Sequence, residues 1–269
     1  LKIMAWTKAK TVIVAGLGVL LAAGTTVSII KIRAYEKDRD SWRSANLTWE
    51  MVAQAAPQVR IVPTKFKAPV HAQWDAGSGK WGGVRVSVAG IVRAAYHGWY
   101  PGRILFPAGT PNELYDFIST LPQGTEEALQ RELKNKLGLV GRRETRDMDV
   151  LVLKVRSSSA SGLQPPIIGN TTDYMWFKGG IGHYYCGDQP LSTDPPGPAH
   201  GLTKFLEMHL HMPVIDETGL TEHFNIDITW KQQGWQNYDA LKKAVLDQLG
   251  LELVPDHRPV EMLVVEKVK

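Results

Sequence analysis

The sequence predicts an α+β fold, with an N-terminal transmembrane helix followed by two duplicated β-α-β-β-α-β-β lobes. Three observations predict it. First, Ala128 to Lys154 is echoed without a gap by Ala240 to Glu266: Ala128-Leu129 falls on Ala240-Leu241, Leu137-Gly138-Leu139 on Leu249-Gly250-Leu251, and Val150 to Leu153 on Met262 to Val265. Each copy reads helix, glycine stop, strand, turn, strand. Second, Tyr115-Asp116-Phe117 aligns with Ile226-Asp227-Ile228 at an offset one residue shorter, which carries the duplication upstream. The period of roughly 110 residues is too long for a solenoid. Third, Thr11 to Ile30 contains no charge and is flanked by Lys8 and Lys10 on one side and Lys31 and Arg33 on the other. About 20 helical residues at ~1.5 Å each span ~30 Å, the hydrocarbon thickness of a bilayer.

A cleaved signal peptide is the competing reading of that segment. Lys8 and Lys10 supply a positive region, Val12 to Leu21 an apolar one and Ala22-Ala23-Gly24 a small-residue cleavage site. Apolar character that persists through Ile30 favours an uncleaved anchor. Gly16, Gly18, Ala22, Ala23 and Gly24 are small enough for close helix approach, or reflect the glycine content of membrane helices. Positive charge lies on both sides, and the weak orientation preference is N-terminus inside and body outside. The first residue is Leu1, in keeping with a fragment or an alternative start. Ala34 to Ala45, with mixed charges, reads as a solvated connector. The expected division is an anchor or signal segment at 1–33, a juxtamembrane linker at 34–57, lobes at 58–156 and 174–269, and a linker at 157–173.

In the first lobe Gln58 to Phe66 alternates apolar and polar residues and reads as a strand. Trp74 to Gly83 reads as a glycine-rich loop. Its Gly79-Lys80 resembles part of a phosphate-binding loop, but Trp74 stands where that motif needs glycine and Trp81 where it needs Ser or Thr, so no nucleotide is expected. Val84 to Tyr96 predicts a short helix stopped by Gly98, with Val88, Ile91, Val92 and Ala95 on one face. Arg103 to Phe106 and Leu114 to Ser119 follow as strands around a Pro- and Gly-containing turn. Thr125 is placed to cap the next helix, where Leu129, Leu133 and Leu137 make one buried stripe and Gly138 is the stop. Met148 to Val155 closes the lobe as a strand.

Arg156 to Pro166 is Ser-, Gly- and Pro-rich, as a boundary requires. Tyr174 to Lys178 reads as a strand, Gly187 to Ala199 as a proline-rich loop, and Gly201 to Leu210 as a helix with Leu202, Phe205, Leu206 and Leu210 on its apolar side. Pro213 to Asp216 and Phe224 to Trp230 are strands around a turn at Thr218-Gly219.

The formal charge of +4 divides unevenly: about +5 lies at or before Arg43 and about −1 in the rest. The body therefore has no basic footprint for nucleic acid. Cys186 is the single cysteine, so no internal disulfide forms, and a buried side chain is the expected role. His183, His200, His209, His211 and His223 cluster late, with Glu207, Asp216 and Cys186 nearby, but no second pair stands at metal-finger or metallopeptidase spacing. Surface or half-buried histidines are the favoured reading, and neither metal nor other cofactor is expected. Asp216-Glu217-Thr218-Gly219 differs from an aspartic-protease Asp-Thr-Gly by one inserted residue and lacks the second carboxylate that such chemistry shares a proton with. It reads as a turn in which Asp216 caps local amides and Gly219 takes positive φ. No Gly-x-Ser-x-Gly elbow occurs. Trp176, Trp230 and Trp235 fall near strand ends and loops, where core and rim packing is the default and a ligand groove the alternative.

From Pro213 onward the chain resembles the soil-associated bacterial family of unknown function. Pro213-Val214-x-Asp216-x-Thr218-Gly219-Leu220, Ala240-Leu241, Gln248-Leu249-Gly250-Leu251 and the closing Val260-Glu261 strand carry the resemblance, with Asp216, Thr218, Gly219 and Leu220 as its signature turn. Glu222 stands where the family usually has a glycine. The resemblance implies a bacterial extracytoplasmic domain, often behind an N-terminal hydrophobic segment and sometimes joined to a membrane sensor peptidase, with no established activity. The repeated unit also looks like the small α/β partner-binding modules at secretin and TonB-receptor N-termini. The resulting expectation is a single-pass membrane protein whose extracytoplasmic body binds a protein, peptide or envelope ligand without catalysis, with the interface between the lobes as the place to look. A metal-dependent hydrolase using His209, His211 and Asp216 is one alternative, and the C-terminal portion of a larger fused membrane protein is another.

Overall fold

The computed structural model describes residues 40–67, 72–75, 79–97, 99–156, 162–192, 201–231 and 238–268. Thr11 to Ile30, Gly98, His200 and Trp235 lie outside the described residues. Among the described residues no helix is long and apolar enough to cross a membrane.

The two copies of the repeated stretch meet each other. Each helix, α3 (Thr125–Leu137) and α5 (Tyr238–Leu249), is followed by a long strand, β6 (Leu139–Val155) or β11 (Leu251–Lys267), and the two strands pair antiparallel from end to end. Leu139 lies opposite Lys267 and Val155 opposite Leu251. The shift that carries Ala128 onto Ala240 also carries Leu139 onto Leu251 and Val155 onto Lys267, so it exchanges the strands and reproduces their pairing. A local twofold axis therefore passes between Asp147 and Pro259, which face each other. The flanking parallel strands obey the same axis: β4 (Ile104–Leu105) pairs with β11 at Leu263, and β9 (Val214–Asp216) with β6 at Leu151, the residue equivalent to Leu263.

The expected strand, turn, strand in each copy is corrected to one unbroken strand. The polar residues ahead of Met148, where the hairpin turn is expected, are the exposed middle of a two-stranded ribbon. Arg142 pairs there with Glu266 and His257 with Asp149 across the strands. The ribbon also exchanges packing between halves. Leu263 and Val265 of β11 enter the core of the first lobe with Phe117, Leu129 and Leu133, while Leu151 and Leu153 of β6 enter that of the second with Phe205, Ile228 and Val245.

Each lobe adds a sheet of its own. The first is ordered β1-β5-β3-β2, from Val59–Pro63, Tyr115–Ser119, Trp81–Val86 and Ala72–Asp75; the second is β10-β8-β7, from His223–Lys231, Ile181–Pro190 and Asp173–Lys178. Short helices α2 (Val88–Ala95) and α4 (Leu202–Leu210) precede β4 and β9. Several boundaries differ from expectation. The helix expected over Val84 to Tyr96 begins only at Val88 under a Ser87 cap, because Trp81–Val86 is a buried strand. Within the expected Trp74 to Gly83 loop, Trp74 and Asp75 belong to β2 and Trp81 to Gly83 to β3, and β8 runs on through Gly187 to Pro190. Thr125 does not cap α3: Gly124 holds the cap position at φ 63°, and the Thr125 hydroxyl donates to the Leu121 carbonyl at 2.9 Å.

From Asp40 onward, the connector expected to be solvated is folded onto the first lobe. Trp42 is 1% exposed and Leu47 3%, and α1 (Trp49–Gln54) brings Val52 to the same surface, against Val84 and Ile118. Contact is close at Gly82, where an added Cβ would come 2.7 Å from Val52. Arg43 anchors the cover, donating from Nε and Nη2 to Oδ2 of fully buried Asp116 at 2.9 and 2.8 Å. The other oxygen, Oδ1, accepts the Arg85 backbone N–H at 3.2 Å from a bulge where Arg85 takes φ 53°.

Candidate functional site

The lobe equivalence sets up a comparison of two surfaces. On a strand, residues two apart share a face, so Asp116 and Ile118 of β5 correspond to Asp227 and Thr229 of β10. Through the strand registers, Gly82 and Val84 of β3 correspond to His183 and Tyr185 of β8. In the first lobe this face lies beneath Trp42, Leu47 and Val52. In the second it carries Tyr174 and Trp176, which are 44% and 43% exposed. Of the nine large hydrophobic residues exposed among the described residues, seven fall between Ile167 and Ile181, so the exposure is a local feature of this face and its edge rather than scatter.

Local chemistry explains how the face is built. Gly179 and Gly180, at φ 60° and 76°, make the two-residue turn that joins β7 to β8, a geometry requiring positive φ twice. The resulting register sets Tyr174 opposite Tyr185 and Trp176 opposite His183. Tyr174 stacks on Tyr185 with ring centroids 5.3 Å apart, and Trp176 lies 4.9 Å from the His183 ring. Asn170 holds the Tyr185 hydroxyl at 2.9 Å. His183, nine-tenths buried, shares a 2.8 Å hydrogen bond between Nε2 and Oδ1 of Asp227, whose own side chain is 62% exposed. Among the described residues Oδ1 is the Asp227 oxygen so engaged.

The sheet beneath is closely packed. On its inner face Tyr184 stacks on Phe205 at 3.8 Å and Phe177 meets Trp230 edge-on at 5.9 Å. Gly182 lets the Trp230 ring cross β8, since a Cβ there would lie 2.4 Å from it. One edge of this sheet is closed: Gln164 bridges to Asn225, and the Gln248 amide donates to the Thr229 carbonyl at 2.6 Å and accepts the Thr229 N–H at 3.1 Å. At the other edge β7 pairs with β8, and among the described residues no strand lies beyond it.

A second concavity lies between the lobes. A cleft of about 690 Å³ is lined by Tyr100 and Arg103 from the first lobe, Lys204 and Glu207 from α4, and Asp216 and Glu261 among others. Arg103 and Glu207 tie the lobes together across it. Glu207, 4% exposed, accepts through Oε1 from Arg103 Nε at 2.6 Å and from the Val214 N–H at 2.9 Å. Burial outweighs these partners and holds the Glu207 carboxyl above its ordinary range, and burial likewise lowers the Lys204 ammonium. The signature turn forms one wall. Asp216 Oδ1 accepts both the Thr218 N–H at 2.9 Å and its hydroxyl at 2.7 Å, the Thr218 hydroxyl accepts the Leu220 N–H at 3.2 Å, and Gly219 takes φ 71°. These are contacts of a braced turn.

His209, His211 and Asp216 are not assembled as ligands. His209 Nδ1 donates to the Phe205 carbonyl at 2.8 Å and its ring lies against Phe205; burial lowers its pKa. His211 closes α4 in the left-handed conformation at φ 53°. Among the described residues no group of three His, Cys, Asp or Glu side chains converges as a metal ion requires. Cys186 is fully buried, and that burial pushes its thiol up to about 11.

Sequence reasoning singled out Trp176 for a groove and Asp227 as one half of a repeated motif, but did not connect them. The usable signal was the repeat itself: Gly82 and Val84 in one lobe against His183 and Tyr185 in the other.

A family model described as protein of unknown function (DUF3738) matches residues 106–268, taking in β5, both long strands and the whole second lobe. No curated protein and no solved structure matches the chain. With more than half of its length under that model, the chain belongs to the DUF3738 family.

Proposed function

We propose that the chain is a single-pass membrane protein whose extracytoplasmic body is a binding module, taking up a polypeptide segment on the open face of the β10-β8-β7 sheet without catalysis. One observation carries the reading: the same sheet face is covered by residues 42–52 in the first lobe and bears exposed Tyr174 and Trp176 in the second. Bare aromatic faces also suit sugars, but here the equivalent surface supplies its own precedent, and the occupant there is polypeptide. The edge points the same way. Met175 and Phe177, on the opposite face of β7, are also 38% and 40% exposed, so an occupant that wraps the strand finds apolar contact on both sides. The uncharged Thr11 to Ile30 supports the anchor, and the resemblance noted at Pro213 to Leu220 supports the extracytoplasmic placement.

The test is to pan a phage-displayed random 12-residue peptide library on the full chain and titrate the enriched peptides against wild type and against Trp176→Ala. Trp176 is a surface residue, so its removal leaves the core intact. Loss of affinity by about tenfold or more is expected, as for a central aromatic anchor. Enriched peptides that bind Trp176→Ala and Tyr174→Ala as tightly as wild type would refute the assignment.

A further inference from the structure

We propose that the segment taken up presents an arginine to Asp227, between apolar side chains that cover Tyr174 and Trp176; this rests on the polypeptide reading above and names its chemistry. Two equivalent carboxylates, Asp116 and Asp227, differ in what holds their second oxygen. In the first lobe Asp116 has one oxygen satisfied from within its own sheet, by the Arg85 N–H, and the other by a guanidinium from the covering segment, Arg43. In the second lobe Asp227 has one oxygen, Oδ1, satisfied from within its own sheet, by His183, on a side chain that is 62% exposed. The Asp227 oxygen that His183 does not hold corresponds to the one that Arg43 holds on Asp116.

The surroundings match in kind as well. Arg43 sits between Trp42 and Leu47, which bury themselves against Val84 and Ile118. Around Asp227 the equivalent positions hold Tyr185 and Thr229, widened by Tyr174 and Trp176. His183, under the Trp176 ring, stands at the position where Gly82 leaves space for Val52, so the second face suits a shallower occupant than α1, an extended or single-turn segment. Arginine fits better than lysine. Arg43 uses two N–H groups of one planar fork on a single oxygen, a geometry an ammonium does not offer, and a guanidinium also lies flat on neighbouring rings such as Tyr174.

The experiment is a double-mutant cycle on the full chain with an enriched 12-residue peptide. Asp227→Asn keeps the side-chain shape and an acceptor for His183 while removing the charge, and Asp227 is exposed enough that folding is not at stake. Enriched peptides are expected to carry arginine. Peptide Arg→Gln and protein Asp227→Asn are each expected to weaken binding about tenfold, and together no further than either alone, as for one charge-assisted contact. An Asp227→Arg protein is expected to prefer the peptide with glutamate in place of arginine. Peptides enriched without arginine, or affinity that stays within about twofold in Asp227→Asn, would overturn the proposal. If Trp176→Ala still abolishes binding in that case, the polypeptide site stands and the arginine fails; if it does not, both fall.

Discussion

Replacing Arg103 by leucine is expected to cost about 2–4 kcal/mol of stability at pH 7 and much less at pH 5. Arg103 reaches from the first lobe to Glu207 on α4, where it meets a carboxylate 4% exposed at 2.6 Å. Breaking a buried pair by deleting one partner costs about 3–5 kcal/mol because the remaining charge is stranded. Here the loss has a ceiling, because Glu207 escapes by taking a proton. Protonating a carboxyl of ordinary pKa costs about 3–4 kcal/mol at pH 7 and about 1 kcal/mol at pH 5, and burial already raises the Glu207 carboxyl. The sign follows. A carboxyl raised in the folded state binds its proton more readily there than in the unfolded chain, so its contribution is most favourable at low pH and declines as pH rises through the folded value. Losing the Arg103 charge raises that value further and carries the decline into the neutral range. The assay is urea unfolding followed by tryptophan fluorescence at pH 5 and pH 7 for wild type, Arg103→Leu and the double variant Arg103→Leu/Glu207→Leu. The double variant should recover most of the loss, since no charge is left buried alone. A penalty below about 1 kcal/mol at pH 7, one that does not shrink at pH 5, or a double variant no better than the single would refute the latch.

Gly182→Ala places a Cβ 2.4 Å from the Trp230 ring, and a loss of about 2 kcal/mol with a shifted tryptophan emission is expected; wild-type stability in urea would show that the ring moves freely. His209, its pKa lowered by burial, should make stability fall as pH drops below the unfolded histidine value of about 6.5, and His209→Gln should flatten the slope between pH 8 and 5. An unchanged slope would assign it to another group. Cys186, buried with its thiol near 11, should resist a thiol reagent at pH 8 in the folded chain and react on unfolding; prompt labelling of native protein would contradict its placement.

Much of the architecture was legible because the repeat is written in helix stops and apolar runs. Gly138 at φ 64° and Gly250 at φ 72° end α3 and α5 where the pattern stops, and Leu129 and Leu133 are buried as their spacing requires. What misled was polarity. The polar residues ahead of Met148 read as a hairpin turn because local sequence does not distinguish a turn from an exposed ribbon whose partner lies in the other half of the chain. Trp42 and Arg43 read as solvated because the face they cover, Val84, Asp116 and Ile118, is assembled from distant strands. Asp216 to Leu220, the most recognisable stretch, spends its hydrogen bonds within its own turn. The candidate site was hidden for a different reason. Trp176 reads by default as core or rim packing and Tyr174 only as part of a strand, and their exposure gains meaning against the covered face of the other lobe.

The central claim is tested most directly by hydrogen–deuterium exchange of the full chain with and without an enriched peptide. Protection is expected over β7, β8 and β10, from Asp173 to Pro190 and His223 to Lys231, with no change over Trp49 to Gln54. Protection centred on the cleft between Arg103, Lys204 and Asp216 instead would contradict it.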